Sequence, residues 1–375
     1  MSGDPLEVAA LGVRIRVGLD GLDDGSRQRL RTAWARAVAL APAITGSSVD
    51  LGEIDTTTGI PYEDLASHLS SRVTVAAIKA NAGSLMMLHA AGLAEPGSGR
   101  TIAFVGPSGR GKTTLARALG AVWDYVTDET VAFDPVSLDV QPHPKPLSLK
   151  VSGARTKEQV GPDELGLGPT PAHSRLARVV LLDRDENHAG VPTAEPCDIP
   201  TAVGILAAET SFLTRWDDPL SVLADALGRT GGALRVRYRE ATELVTMLPS
   251  LLELPGETSW ERVTAGPVAA AVVPPSGGPR WRRADVATLR CETSMAVLTD
   301  RSTAPSGRTQ PQVAVLTGIG PLLWDLADAP RTRDELVAGV VEVFGTPEGQ
   351  DPVELVSIAL ASLVDHGVLT GPRLF

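Results

Sequence analysis

The stretch that most limits what this chain can fold into is IAFVGPSGRGKTTLARALG, Ile102 to Gly120. It sets an apolar, β-branched run before a glycine-punctuated loop, and a helical pattern closed by glycine after it. Gly106, Gly111, Lys112 and Thr113 satisfy the spacing G-x-x-x-x-G-K-[ST]. The glycines let successive backbone N–H groups turn inward around a phosphate, at a helix N-terminus whose dipole favours anions. The loop Gly106, Pro107, Ser108, Gly109, Arg110, Gly111, Lys112, Thr113 and Thr114 is thus expected to hold the phosphates of a nucleotide. Lys112 would reach the β- and γ-phosphates, and the Thr113 hydroxyl would help hold Mg²⁺.

Strands alternate with helices around this loop, which indicates an α/β nucleotide-binding domain. Upstream, VRIRV reads as a half-exposed strand, SRQRLRTAWARAVAL as a helix with Leu30, Trp34 and Val38 on one face, and RVTVAAIKA as a further strand. Downstream, DYVTDETVAF reads as a strand or strand pair and DPVSLDVQPHPKPLSLK as a proline-rich loop region. RLARVVLLDRD is a buried strand, IPTAVGILAAETSFLTR and PLSVLADALGR are helical, ALRVRYRE is a strand and ATELVTMLPSLLE a helix. VVPPSGGPR marks a linker, beyond which short strands precede three helices, with Thr332 and Asp351 as N-caps and Gly367 as a stop. The expected organisation is an α+β part over 1–75, the phosphate-loop domain over 76–255, a linker over 256–280 and a small domain over 281–375.

Several function classes are excluded by composition. The net charge is −11 with both signs mixed along the chain, unlike a nucleic-acid or anionic-membrane binder. The basic run RWRR gives little support for DNA binding by the last domain. Cys197 and Cys291 form neither a disulfide framework nor a metal cluster, which fits a reducing, cytoplasmic setting. No apolar run approaches the ~20 residues of a membrane span. Only five lysines, Lys79, Lys112, Lys145, Lys150 and Lys157, stand against 29 arginines, so a retained compact ammonium draws notice.

A phosphate loop needs an acidic partner, and two candidates exist. Asp183 ends the apolar strand RVVLLD, and Asp128–Glu129 lie 16 and 17 residues after Lys112, one helix on. Adjacent parallel strands would put the second pair at the γ-phosphate end. No LSGGQ-type signature of a transporter ATPase and no NKxD base-reading motif of a GTPase occurs. His89 stands just before the strand that leads into the loop. Histidine, paired acids, lysine and threonine around one phosphate make a phosphoryl-transfer set, in which an acid accepts the proton of an attacking hydroxyl.

The order His–strand–GPSGRGKTT–helix–VTDETV resembles the HPr kinase/phosphorylase family and its related serine kinases, and PHPKPLSLK resembles the relatives found in peptide-modification gene clusters. The resemblance covers roughly 80–240. It implies an HPr kinase/PEP carboxykinase-like fold, Asp128 as catalytic base, Glu129 assisting Mg²⁺, His89 at the γ-phosphate and Lys145 as a phosphate or acceptor contact. Glu129 and Thr114 replace the family's usual Asp and Glu, and its glycine-rich signature is missing, which points away from HPr as substrate. Members are often hexameric, which leaves a homo-oligomer open.

Residues 281–375 resemble the PqqD family of winged-helix-like domains, which bind leader peptides of ribosomally made natural products. The likeness rests on VLTGIGPLLWDLADAPRTRDELVAGVVEVFG followed by DPVELVSIALASLVDHGVL. It implies a peptide strand added at the edge of QVAVL, 312–316, beside the Asp351–His366 helix. Together the two resemblances imply an ATP- and Mg²⁺-dependent kinase of a Ser/Thr hydroxyl on a recruited peptide or small protein. A kinase of free serine or another small hydroxyl compound, and a non-catalytic nucleotide-gated peptide-binding module, are the alternatives.

Overall fold

The computed structural model describes residues 4–54, 59–107, 109, 111–150, 157–263, 278–299 and 312–373. Ser108 and Arg110 of the loop lie outside the described residues, as do 264–277 of the expected linker. In chain order the strands and helices begin β1 (Leu6–Ala10), β2 (Val13–Gly18), α1 (Asp24–Ala33), α2 (Ala35–Leu40), β3 (Ser48–Glu53) and α3 (Tyr62–Ala80). They continue β4 (Met86–Leu88), β5 (Ala90–Ala94), β6 (Arg100–Val105), α4 (Lys112–Leu119), β7 (Asp124–Thr127), β8 (Val131–Phe133) and β9 (Val140–Gln141). Next come β10 (Leu147–Lys150), β11 (Lys157–Val160), β12 (Arg175–Arg184), β13 (Thr193–Cys197), α5 (Ile199–Ala208), α6 (Pro219–Arg229), β14 (Ala233–Tyr238) and α7 (Leu248–Glu253). The last are β15 (Glu261–Val263), β16 (Arg280–Arg283), β17 (Thr288–Arg290), β18 (Met295–Thr299), β19 (Gln312–Leu316), α8 (Gly320–Leu326), β20 (Arg331–Thr332), α9 (Arg333–Phe344), α10 (Pro352–Asp365) and β21 (Leu369–Thr370).

The chain is mixed α/β and forms two compact units. One comprises 1–196, 209–215 and 229–256; the other comprises 197–208, 216–228 and 257–375. The units do not follow the sequence division. The 75/76 boundary falls inside α3, the stretch 256–280 contains β15 paired with β17, and α5 belongs with the C-terminal strands.

In the first unit a six-stranded sheet runs in the order β13-β14-β12-β6-β5-β7. β6 sits near its centre because Ile102, Ala103, Phe104 and Val105 are apolar on both faces, as burial from two sides requires. Complete burial of Phe104 alone contributes about 2 kcal/mol. β14 and β6 are parallel to β12, whereas β5 is antiparallel to both β6 and β7. The sequence reading of β6 and β7 as adjacent parallel strands is corrected here. They run in the same direction but β5 lies between them, so their C-terminal ends stand two strand spacings apart, about 10 Å.

RVTVAAIKA is helix rather than strand. Leu65, Leu69, Val73 and Ala77 recur every four residues and face a core with Leu6, Ile15 and Trp34, which overrides the β preference of its valines. The helical reading of IPTAVGILAAETSFLTR stops short too. α5 ends at Ala208, because the backbone beyond it bonds to β4: the Ser211 N–H donates to Met87 O at 2.9 Å and the His89 N–H to Glu209 O at 2.7 Å.

In the second unit β15-β17-β18-β19 form an antiparallel sheet, and Met295 and Val297 of β18 pack with Leu323, Trp324, Leu336 and Leu360 of α8–α10. The helix lying closest against β19 is α5, not the Asp351–His366 helix. Gly204 makes that approach feasible, since a Cβ there would meet Val315 Cγ2 at 2.3 Å. Thr332 caps α9 in a reciprocal box with Glu335, and the Asp351 carboxylate accepts from the Val353 N–H. Thr332→Ala is expected to destabilise this unit by about 1 kcal/mol, read as a lower urea midpoint at unchanged m.

Candidate active site

Loop, helix and carboxylates meet at the C-terminal ends of β6 and β7. Gly109 and Gly111 take φ of 82° and 92°, conformations that only glycine adopts without strain, and a Cβ on either would meet nothing within 4 Å. Gly111 caps α4 without any side chain, so the first N–H groups of the helix remain for an anion. The Lys112 ammonium donates to Gly106 O, and to Pro107 O at 3.2 Å, which holds it across the loop opening. Burial pushes its pKa below the ordinary value, against the opposing pull of Glu209, Glu129 and Asp128.

Asp128 follows β7 directly and is 4% exposed. Thr113 Oγ1 donates to its Oδ2 at 2.9 Å, and Tyr125 OH donates to Oδ1 at 3.3 Å. The Lys145 ammonium lies 3.1 Å from Asp128 Oδ1 and 3.1 Å from Glu129 Oε2, and also donates to Pro146 O at 3.2 Å. The proline-rich segment that reads as a loop is therefore an inner wall, and Lys145 is 2% exposed. Burial works against its ammonium, but the two carboxylates outweigh it and hold the pKa above the ordinary value. Desolvation, then Asp128, pushes the Tyr125 phenol well up, so that it stays a hydrogen-bond donor.

His89 occupies the junction where the chain leaves β4, paired with β8, for β5, paired with β6 and β7. The next residue, Ala90, donates its N–H to Glu129 O at 3.1 Å, which ties the junction to the carboxylate pair. Burial first, then Lys112, lowers the His89 pKa, so a neutral imidazole faces the cavity at neutral pH. Asp183 does not join this group. It is exposed, in an adjoining recess that shares Gly109 and Arg184 with the cavity but does not contain the Asp128–Glu129 pair.

His89, Gly109, Gly111, Lys112, Thr113, Asp128, Glu129 and Lys145 line one cavity of 520 Å³, together with Arg117, Lys150, Lys157 and Arg184. Four of the chain's five lysines line it. Tyr125, Arg117 and Arg184 carry no spacing signal and were not legible beforehand; the scarcity of lysine was a usable signal for Lys150 and Lys157.

His143, to which the sequence assigns no role, is buried behind the wall. Its backbone O accepts from the Lys145 N–H at 2.8 Å and its own N–H donates to Val126 O at 3.1 Å, so it fixes the turn that carries Lys145. The Thr74 hydroxyl donates to Ser70 O, so the 3.1 Å contact with His143 Nε2 has the ring donating. Nδ1 then keeps a lone pair with no partner among the described residues. Burial first, then Lys145, lowers the His143 pKa from 6.5 to about 3. A depressed folded pKa means stability that is complete above 6.5 and declines as pH falls towards 3, because the unfolded chain binds the proton first. His143→Gln is expected to remove about one proton from the acid-unfolding slope across that window, measured by urea titration at stepped pH.

The fit to a Mg²⁺–nucleotide follows from the donor set. Among the described residues no cluster of three or more His, Cys, Asp or Glu could hold a metal ion by itself. One hydroxyl and two carboxylates beside a phosphate loop suit magnesium, which keeps waters and shares substrate phosphates.

No family model matches the sequence, and no curated protein matches it significantly. Among solved structures, the HPr(Ser) kinase/phosphatase from Coxiella burnetii aligns over 44% of this chain and 93% of its own, at 12% identity and a TM-score of 0.25. At that TM-score the chemistry has to be read from the side chains. No helix among the described residues is long and apolar enough to cross a membrane.

Proposed function

We propose that the first unit is an ATP- and Mg²⁺-dependent kinase that transfers the γ-phosphoryl group to a Ser/Thr hydroxyl of a peptide or small protein. The observation that carries the reading is Asp128. Its carboxylate is buried beside the loop and bonded to Thr113, the residue at which the motif brings magnesium, with Lys145 balancing its charge. A buried acid at that place can take the proton of an acceptor hydroxyl while the oxygen forms its bond to the γ-phosphorus and the bond to the β-phosphate oxygen breaks.

Lys112 and the loop N–H groups orient the phosphates and take up the charge that moves to the leaving oxygen. His89, neutral, offers a ring N–H to a γ-phosphate oxygen. Magnesium, when bound, would be held by Thr113 and Glu129 and would neutralise the β- and γ-oxygens. Recruitment of the peptide is assigned to the C-terminal unit, on the support that β19 has β18 as its one partner among the described strands and so offers its other edge to an added strand.

Incubation of the whole chain with γ-labelled ATP, Mg²⁺ and serine-containing peptides tests this. Label is expected on serine. Lys112→Ala is expected to weaken ATP binding about 10- to 100-fold through the lost charge-assisted contact. Tight ATP binding with no label on any peptide or on free serine would replace the kinase by a nucleotide-gated binding module.

A further inference from the structure

Lys150 and Lys157 are directly opposite each other across the antiparallel ribbon β10–β11, and both line the cavity. Directly opposed side chains in such a pair have Cβ atoms about 5 Å apart, and two like charges there repel and destabilise the ribbon. No carboxylate among the described residues lies within ion-pair distance of either ammonium, nor of Arg117, which is exposed on α4 and lines the same cavity. In a chain with a net charge of −11 the cavity is lined by six cationic side chains, Lys112, Arg117, Lys145, Lys150, Lys157 and Arg184, and two carboxylates; Arg184 is paired with Glu240 at 3.5 Å, which leaves five cations against the two carboxylates. A nucleoside triphosphate with its magnesium ion leaves part of that surplus unneutralised.

The surplus has a position. Lys145 is engaged by Asp128 and Glu129, whereas Lys150 ends the strand that follows, about 10 Å beyond Leu147 at the strand rise. Lys112 and the loop, where a triphosphate would sit, belong to α4 and its approach rather than to the ribbon. We propose that Lys150 and Lys157, with Arg117, form a second anion subsite that binds a carboxylate of the acceptor. The substrate would then be a hydroxyl compound with an acidic group close by, either an acidic peptide or a free hydroxy amino acid. This rests on the phosphoryl-transfer reading above, and it explains why a lysine-poor chain keeps two lysines face to face.

The test uses the whole chain and three peptides that place serine next to glutamates, glutamines or lysines, with free serine as a further acceptor. An analogue of the acidic peptide with alanine for serine is titrated against the chain holding a non-hydrolysable ATP analogue. The acidic peptide is expected to have a KM at least 10-fold below that of the glutamine peptide. In Lys150→Gln/Lys157→Gln its KM rises about 10-fold, while the affinity for the ATP analogue stays within twofold. Competition by free serine at comparable concentration identifies the small hydroxy acid as the source of the carboxylate; its failure identifies the peptide.

Binding of the alanine analogue reads the subsite even where no phosphate is transferred, so loss of that binding in the double variant supports the subsite independently of the kinase reading. Equal KM for glutamate and glutamine peptides, together with a KM for free serine that the double variant leaves unchanged, overturns the proposal. So does a double variant that loses ATP-analogue affinity while acidic-peptide binding is unchanged, which would assign the two lysines to the nucleotide.

Discussion

Asp128→Asn is expected to lower the rate of phosphoryl transfer about 1,000-fold while ATP binding changes little. The substitution keeps the size of the side chain; an amide oxygen in the place of Oδ1 still accepts from Tyr125 (3.3 Å) and Lys145 (3.1 Å), while the amide NH2 in the place of Oδ2 turns the 2.9 Å contact with the Thr113 hydroxyl into one that it donates. What it removes is the basic site for the acceptor's proton, and general-base catalysis by a positioned group is worth 10²- to 10⁴-fold. Lys145 keeps its second partner, Glu129, at 3.1 Å, so the buried ammonium is not abandoned. A melting temperature within a few degrees of wild type separates lost chemistry from lost fold. A variant that transfers phosphate within about threefold of the wild-type rate would remove Asp128 from the mechanism.

Lys145→Met acts on the same pair from the other side and shows mainly in stability. Its side chain is 3% exposed and that of Asp128 2%, so removal of the ammonium leaves a buried carboxylate with hydrogen bonds but no counter-charge. Breaking such a pair from one side costs about 3–5 kcal/mol. For a unit of this size that lowers the melting temperature by roughly 6–20 °C, which differential scanning calorimetry would register. The wild-type contribution carries a definite pH sign. The folded pKa of Lys145 lies above its ordinary value, so the stabilisation is fully present below pH 10.5 and is lost as pH rises through the folded pKa. Unchanged melting in Lys145→Met would mean that the ion pair contributes nothing, and Asp128→Asn/Lys145→Met should then also match wild type.

The phosphate loop was legible because its chemistry is local: glycine at the positive-φ positions, lysine and threonine at fixed offsets, an apolar strand before and a helix after. Helix caps such as Thr332 with Glu335 were legible for the same reason. What sequence spacing could not give was the set of long-range pairings. β5 comes between β6 and β7 through an antiparallel excursion that periodicity does not reveal, and His89 owes its place to the change of partner between β4 and β5. RVTVAAIKA has the composition of a strand, but its fold is decided by the core it faces, with Leu6, Ile15 and Trp34 contributed from more than 30 residues upstream. Lys145 reads as a loop lysine, and only the bond of the His143 N–H to Val126 O of β7, which carries the 143–145 turn back beside Asp128, makes it a buried counter-ion. In the C-terminal unit the helix against β19 comes from more than 100 residues earlier, a pairing that no local pattern encodes.

In the proposed reaction a hydroxyl oxygen, activated at Asp128, receives the phosphoryl group from ATP held by the loop. Rapid-quench single turnover measures it most directly, with γ-labelled ATP, Mg²⁺ and the acidic serine peptide, following ADP and peptide-bound label together. The expected result is one labelled phosphoserine for each ADP formed in the wild type, with both falling together about 1,000-fold in Asp128→Asn. ADP accompanied only by free phosphate, or equal labelling by wild type and Asp128→Asn, would contradict it.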